Sequence, residues 1–167
     1  MNDKVLLLII LLLASSSFSA SESQEQKYKL LVAQITGVKQ LAEQPLFIQA
    51  VEKQNAKGVS LDNIKKWDQQ WIQSNSDFPL KASMTDSPIG KYLKSIIQIN
   101  SERYNEVFLT DRLGANVAAF PITTDYWQGD EDKFIKSYNN GTGEIYIGEI
   151  EYDESTKTTA VQISVPV

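Results

Sequence analysis

The spacing of apolar residues changes near residue 100, and this change limits the folds open to the chain. Before it, apolar residues recur at steps of three and four, as on one face of a helix. After it, segments such as 144–152 alternate between apolar and polar residues, as in a half-buried strand. Helices followed by a strand meander predict an α+β fold in which the helices pack on an antiparallel sheet.

The first predicted helix is long and covers residues 21–58. Pro45 should kink or restart it, because proline lacks the backbone N–H donor and its ring clashes with the preceding turn. The apolar stripe fits a helix docked on the protein's own sheet and equally a short coiled-coil seam, so a homodimer through this helix stays open. The stripe consists of Tyr28, Leu31, Ile35, Val38 and then Leu41 or Ala42.

Two further helices have clear start signals. Ser60 is a candidate N-cap for a helix over Leu61–Gln73. Ser87 is a candidate N-cap for the next helix, with Pro88 at the first helical position and an end near Asn100.

Trp67 and Trp71 lie four residues apart on the helix after Ser60. Stacking on a ligand is one interpretation of such a pair, and packing in the core is the favoured one. The following segment, 75–86, is polar and contains Pro79, and it is predicted to be a loop.

The second half contains two predicted hairpins separated by a short helix. Strands 106–110 and 115–120 are joined by a turn in which Gly114 is the natural site for a positive φ. A helix over 131–138 precedes strands 144–152 and 158–165, which form the second antiparallel hairpin. Expected to face the core are Phe134, Ile135, Tyr138, Ile145 and Ile147.

The N-terminal residues 1–20 have the layout of a secretory signal peptide. Lys4 precedes an apolar run over 5–14, and a tract of mostly small residues follows up to Ala20. The run covers about half of a bilayer core of roughly 30 Å, which favours a cleaved leader over an uncleaved anchor. We therefore expect cleavage near residue 20 and a periplasmic or secreted protein.

Composition excludes several classes of function. The chain has no His and no Cys, which removes the commonest general base, the thiolate nucleophile and nearly all zinc and redox-metal sites. The net charge is -5, and the sequence contains no basic stripe of the kind that binds nucleic acid. We expect no enzymatic activity, no cofactor and no metal site.

An acidic aromatic loop, residues 123–132, carries the candidate binding chemistry. Tyr126 and Trp127 offer stacking faces and two donors, and nearby aspartates offer carboxylates, a set that suits a cationic, amine-bearing or polyhydroxy ligand. The alternative is that Asp125 and Asp130 cap the short helix while Trp127 packs under it. The predicted ligand-binding residues are Asp125, Tyr126, Trp127, Asp130, Tyr146 and Asp153.

Five segments of the second half carry a resemblance to a known family: 108–111, 114–118, 124–131, 152–155 and 163–167. Through them the chain resembles the Cache domain, a PAS-like (PDC) extracytoplasmic sensor domain. The resemblance covers roughly residues 25–167 and implies a ligand held between the sheet and its covering loops, with residues 59–167 as the sensor domain.

This chain departs from the family's pattern in two places. Amino-acid-binding members carry an arginine and a tryptophan where this chain has Lys133 and Phe134, so an amino-acid ligand is not supported. In the family, the strand that ends at Val167 here is normally followed by one more central strand. Two interpretations stay open: the sheet lacks this strand and has an open edge, or the sequence is a shortened or fragmentary chain.

Two classes of function follow. The preferred one is a non-enzymatic sensor module for a small, cationic or polar ligand, acting in signal transduction. The alternative is an interaction protein that docks on a membrane receptor or kinase through its N-terminal helix or an open sheet edge.

Overall fold

The computed structural model describes residues 6–13, 24–76, 78–153 and 158–167, and it confirms the α+β class. The helices are α1 (Gln24–Ala42), α2 (Pro45–Asn55), α3 (Leu61–Gln73), α4 (Pro79–Asp86), α5 (Pro88–Ile99) and α6 (Asp132–Tyr138). The strands are β1 (Leu6–Leu13), β2 (Tyr104–Thr110), β3 (Asn116–Phe120), β4 (Tyr146–Asp153) and β5 (Thr158–Pro166).

The predicted N-terminal helix is divided into α1 and α2 at Pro45, the first residue of α2, as the missing proline donor requires. Val38 and Ala42 of the predicted stripe are buried, and Ile35 packs against the same core. The described part of the stripe therefore docks on the protein's own core. A homodimer through this helix stays a prediction.

The start signals of α3 and α5 are confirmed. The Ser60 Oγ accepts a hydrogen bond from the backbone N–H of Asn63 at 3.4 Å, and α3 covers the predicted residues. The Ser87 Oγ accepts from the N–H of Gly90 at 3.0 Å, with Pro88 as the first residue of α5.

The loop predicted over 75–86 was wrong, because Pro79 begins α4. A proline is tolerated in the first turn of a helix, where its N–H would have no partner. Met84 of α4 is 6% exposed and packs with Leu80 in a cluster around Trp71. Tertiary packing, and not the local polarity of the segment, therefore decides its structure.

The five strands form one antiparallel sheet in the order β3-β2-β1-β5-β4. Helices α1, α2 and α5 cover one face, and the core lies between them and the sheet. From the sheet the core takes Val107, Leu109, Ala118, Val161, Ile163 and Val165, which are all fully or almost fully buried.

The central strand β1 falls within the predicted signal peptide. It pairs with β2 on one side and β5 on the other. Strand β5 is therefore an inner strand of the sheet and does not form the open edge that the missing family strand predicted. The sheet edges among the described strands are β3 and β4. Cleavage of the leader stays a prediction.

Helix α6 contacts β1, β4 and β5. Phe134 of this helix is buried, as predicted, whereas Ile135 is 50% exposed, contrary to its predicted inward position. Asn139 ends α6 in the left-handed conformation, at the predicted stop.

Two isoleucines near the sheet edge were also predicted wrongly. Ile145 and Ile147 are 41% and 38% exposed, although both were expected to pack against the helices. The helices on the core face contact β2, β3 or β5, so the edge strand β4 lies beyond most of their cover. Within the described residues, no helix is long and apolar enough to cross a membrane.

Candidate functional site

Helix α3 holds the acidic aromatic loop through its side chains. One carboxylate oxygen of Asp68, Oδ1, accepts hydrogen bonds from the backbone N–H of Tyr126 at 2.8 Å and of Trp127 at 3.0 Å. The indole Nε1 of Trp71 donates to the Thr123 carbonyl at 3.0 Å. These hydrogen bonds hold the loop both before its two aromatic residues and at those residues.

The β2–β3 hairpin holds the other side of the loop. The amide Nδ2 of Asn116 donates to the Thr123 Oγ1 at 2.8 Å and to the Asp125 carbonyl at 3.1 Å. The Trp127 Nε1 donates to the Leu113 carbonyl at 2.7 Å. Backbone hydrogen bonds from Asn116 to Tyr126, at 2.9 Å, and from Gln128 to Gly114, at 2.8 Å, complete the contact.

Gly114 allows this close approach. Its φ is +84°, as its predicted place in the turn requires, and a Cβ at this position would lie 2.5 Å from the Cα of Gly129. Any side chain would therefore clash with the loop backbone as well as strain the turn.

The two rings predicted to contact a ligand are packed in the protein. Tyr126 is 1% exposed, with ring centroids of Trp71 and Trp67 at 5.7 and 6.3 Å. Burial raises the pKa of the Tyr126 hydroxyl, because the phenolate would be poorly solvated there. Trp71 is fully buried, as the core-packing interpretation predicted. Trp127 is half-buried, and the Lys65 Nζ lies 4.5 Å from its ring centroid.

Two of the predicted carboxylates, Asp125 and Asp130, do not line the cavity that Tyr126 faces. Asp125 is half-buried and its Oδ1 accepts from the Thr124 hydroxyl, while Asp130 is exposed. The N-cap of α6 is Glu131, so the alternative that Asp125 and Asp130 cap this helix is wrong. The side chain of Asp153 lies outside the described residues.

Tyr146, the sixth predicted residue, lies on β4. It is half-buried, and the Lys136 Nζ of α6 lies 5.1 Å from its ring centroid. The assignment of all six residues to a ligand site stays a prediction.

A cavity of about 500 Å³ lies between α2, α3, α4 and the start of α5, with β3 and the aromatic loop closing one side. Among the five predicted residues whose side chains the structure describes, Tyr126 is the one that lines it. Its apolar and small lining residues are Leu46, Ala50, Val59, Trp67, Leu80, Met84, Pro88, Ile89 and Val117. Its polar lining residues are Gln49, Lys53, Gln54, Lys57, Ser83 and Ser87.

The charge of the cavity lining differs from that of the loop. Two lysines, Lys53 and Lys57, line the cavity, and none of the lining residues that the structure describes is acidic. The Lys57 Nζ donates to the Gln54 Oε1 at 2.7 Å. The lining therefore offers donors and positive charge to whatever enters it.

A buried aspartate supports the wall between cavity and hairpin, and sequence reasoning missed it. Asp111 is 4% exposed, and its Oδ1 accepts from the backbone N–H of Leu113 at 2.9 Å and of Ala115 at 3.0 Å. Burial raises the pKa of the Asp111 carboxyl, while these hydrogen bonds act in the opposite direction. The Asp-x-x-Gly pattern of the turn was a signal that could have found it.

A second carboxyl with a raised pKa, that of the half-buried Glu106, lies on β2. Its pKa is raised by burial and also by the negative charges of Glu131 and Asp125, while Lys133 lowers it. The Lys133 Nζ pairs with the Glu131 Oε2 at 2.7 Å and lies 5.2 Å from the Phe108 ring centroid.

Comparison of the chain with protein-family models, curated protein sequences and solved structures gave no match. Within the described residues, no group of three or more Asp and Glu side chains is placed to hold a metal ion.

Proposed function

We propose that the protein is a non-enzymatic, extracytoplasmic module that binds a small molecule, as in a sensor for signal transduction. The observation that carries the proposal is the cavity of about 500 Å³ between the helices and Tyr126. Ligand sites usually have volumes of about 300–1,000 Å³, mostly apolar walls and a few polar groups. The Cache-like segments and the predicted leader support the sensor role and the extracytoplasmic location.

The lining favours a ligand with an apolar body and an anionic or neutral polar end. Trp67, Leu80 and Met84 supply apolar and aromatic surface, and Lys53 supplies a positive charge. The carboxylates that favoured a cationic ligand, Asp125 and Asp130, are not among the lining residues. A cation in this cavity would meet lysine without a compensating carboxylate, which opposes binding.

Binding would act on the protein by joining elements that are far apart in sequence. The cavity is walled by α2 on one side, by α4 and α5 on another and by the loop through Tyr126. A ligand that contacts all three would stabilise the folded state by about 2.7 kcal/mol at a hundredfold excess over its dissociation constant. The same contacts would fix the position of α2 relative to the loop.

Three probes of one shape test the ligand class: 2-naphthoate, 2-naphthamide and 2-naphthylmethylammonium. Isothermal titration should give the tightest binding for the anion, weaker binding for the amide and the weakest for the cation. Lys53→Gln should weaken only the binding of the anion, by roughly two- to fivefold, as an exposed ion pair of about 0.4–1 kcal/mol allows.

Lys66→Gln is the matched control, because Lys66 is exposed on α3 and does not line the cavity. Its affinity for 2-naphthoate should equal that of the wild type. Tightest binding of the cation, or equal losses in both lysine variants, would contradict the proposed ligand class. No saturable binding of any of the three probes would count against the proposed function itself.

A further inference from the structure

The central strand β1 connects two hairpins within the sheet. Among the described strands, no backbone hydrogen bonds of the sheet join the two hairpins directly. Strands β2 and β3 pair with each other, and so do β4 and β5, but β2 and β5 meet only through β1. Removal of β1 would leave a gap of two strand spacings, roughly 9–10 Å, in the middle of the sheet. The backbone N–H and C=O groups on both sides of this gap would lose their partners.

The gap lies in the protein's core. Val107 and Leu109 of β2 are fully buried, and Ile163 and Val165 of β5 are equally buried. Because unpaired backbone groups are costly in such surroundings, the gap requires an occupant with its own backbone donors and acceptors.

The occupant must be an extended strand of defined direction. Strand β1 is antiparallel to both neighbours, with Ile9 opposite Val107 on β2 and opposite Ile163 on β5. Helices α1 and α6 both contact it. A strand covered on both faces is typically a continuous apolar run, and β1 has the sequence LLLIILLL.

The same eight residues are the apolar part of the predicted signal peptide, and the inference rests on that prediction. Cleavage near residue 20 would remove β1 from every copy of the mature chain. A second mature copy could then not donate this strand, so the occupant would have to come from another protein.

We propose that the mature protein binds a partner by accepting one of its strands into the gap between β2 and β5. The partner supplies an extended apolar segment of about eight residues without proline or charge, which runs antiparallel to both strands. This is strand addition in the centre of a sheet, where one donated strand completes two ladders.

The first step of the test uses the full chain with a specific protease site inserted between residues 13 and 24. After cleavage, a peptide with the β1 sequence and lysine tails for solubility is added. We expect the backbone amides of β2 and β5 to lose protection from hydrogen exchange on release of β1 and to regain it with the peptide. A peptide with Ile10→Pro should bind at least tenfold more weakly, because proline removes a donor from a central strand.

A disulfide test fixes the register. The chain has no cysteine of its own. The cysteine introduced by Val107→Cys is therefore tested for a disulfide with the opposite residue of the peptide, which carries Ile9→Cys. Residues opposite each other on antiparallel strands are about 4.5–5.5 Å apart between Cα atoms, within the range of a disulfide. Ile48→Cys, on the exposed side of α2, should not cross-link with this peptide.

Several results would overturn the proposal. One is full protection of β2 and β5 after release of β1, and another is equal binding of the proline peptide. A secreted product that retains residues 1–20 on mass analysis would assign the gap to the chain's own strand. If the cleaved protein unfolds, refolding on addition of the β1 peptide supports the proposal, and failure to refold contradicts it.

Discussion

The acidic aromatic loop and the cavity beside it use their chemical groups in opposite ways. Asp68, Trp71 and Asn116 make five hydrogen bonds with the loop, four of them to its backbone, and the Tyr126 ring is buried. In the cavity, most of the lining is apolar and the space of about 500 Å³ is open to a ligand. A dense set of polar and aromatic residues therefore forms a closely packed wall here, while the open space that we propose for the ligand lies among the helices.

The largest expected effect is on the loop's anchor, Trp71. Trp71→Ala should lower the free energy of unfolding by about 3–5 kcal/mol, because it removes a fully buried ring and the hydrogen bond to Thr123. Urea denaturation measures the change. Ile72→Ala, at a position 61% exposed on the same helix, is the control and should stay within about 0.5 kcal/mol of the wild type.

A smaller loss is expected at Asp68. Asp68→Ala leaves the backbone N–H groups of Tyr126 and Trp127 without their acceptor, which should cost about 1–3 kcal/mol. Asp68→Asn keeps an acceptor oxygen and should cost less. If Asp68→Ala matches the exposed control Gln69→Ala in urea denaturation, the loop is not clamped from α3.

The local parts of the fold could be predicted from the sequence, because their causes lie among neighbouring residues. Ser60, Ser87 with Pro88, and Gly114 each act within a few positions. Pro79 was assigned wrongly because proline is compatible with both a loop and the first turn of a helix.

The central strand and the cavity could not be predicted from local signals. An apolar run of eight residues is typical of a signal peptide and equally of a strand covered on both faces. The composition of β1 therefore does not distinguish the two. The cavity joins residues as distant as Lys53, Met84 and Tyr126, so no single stretch of sequence contains its pattern. Four of the six candidate ligand residues were chosen from one loop, and among those whose side chains the structure describes, Tyr126 lies on the cavity.

The carboxyl of Glu106, near Asp125, gives a test by pH. Its folded-state pKa is raised above the ordinary 4.5 by burial, so the folded protein binds this proton more tightly than the unfolded chain does. Stability from this group is therefore present below pH 4.5 and is lost as the pH rises through the raised pKa.

Glu106→Gln should accordingly raise the thermal midpoint at pH 7, and the gain should shrink as the pH falls from the raised pKa to 4.5. Glu102→Gln, at an exposed position, is the control. A gain that grows in acid would contradict the assigned direction of the pKa shift.

The smallest stability effect is expected in the cavity. Lys53→Gln should change the free energy of unfolding by less than about 0.5 kcal/mol, because the Lys53 side chain is exposed at the rim of the cavity. Urea denaturation without any probe measures this change. A loss as large as that of Asp68→Ala would remove the contrast between the two regions.

The most direct test compares 2-naphthoate binding to a cavity variant and a loop variant by isothermal titration. Ser83→Trp fills the cavity from an exposed position on α4 and should weaken binding at least tenfold, whereas Gln70→Trp, exposed on α3, should not. The double variant Asp125→Asn and Asp130→Asn should bind within twofold of the wild type. Unchanged binding in Ser83→Trp together with a large loss in the double variant would place the ligand at the loop carboxylates and contradict the cavity as the binding site.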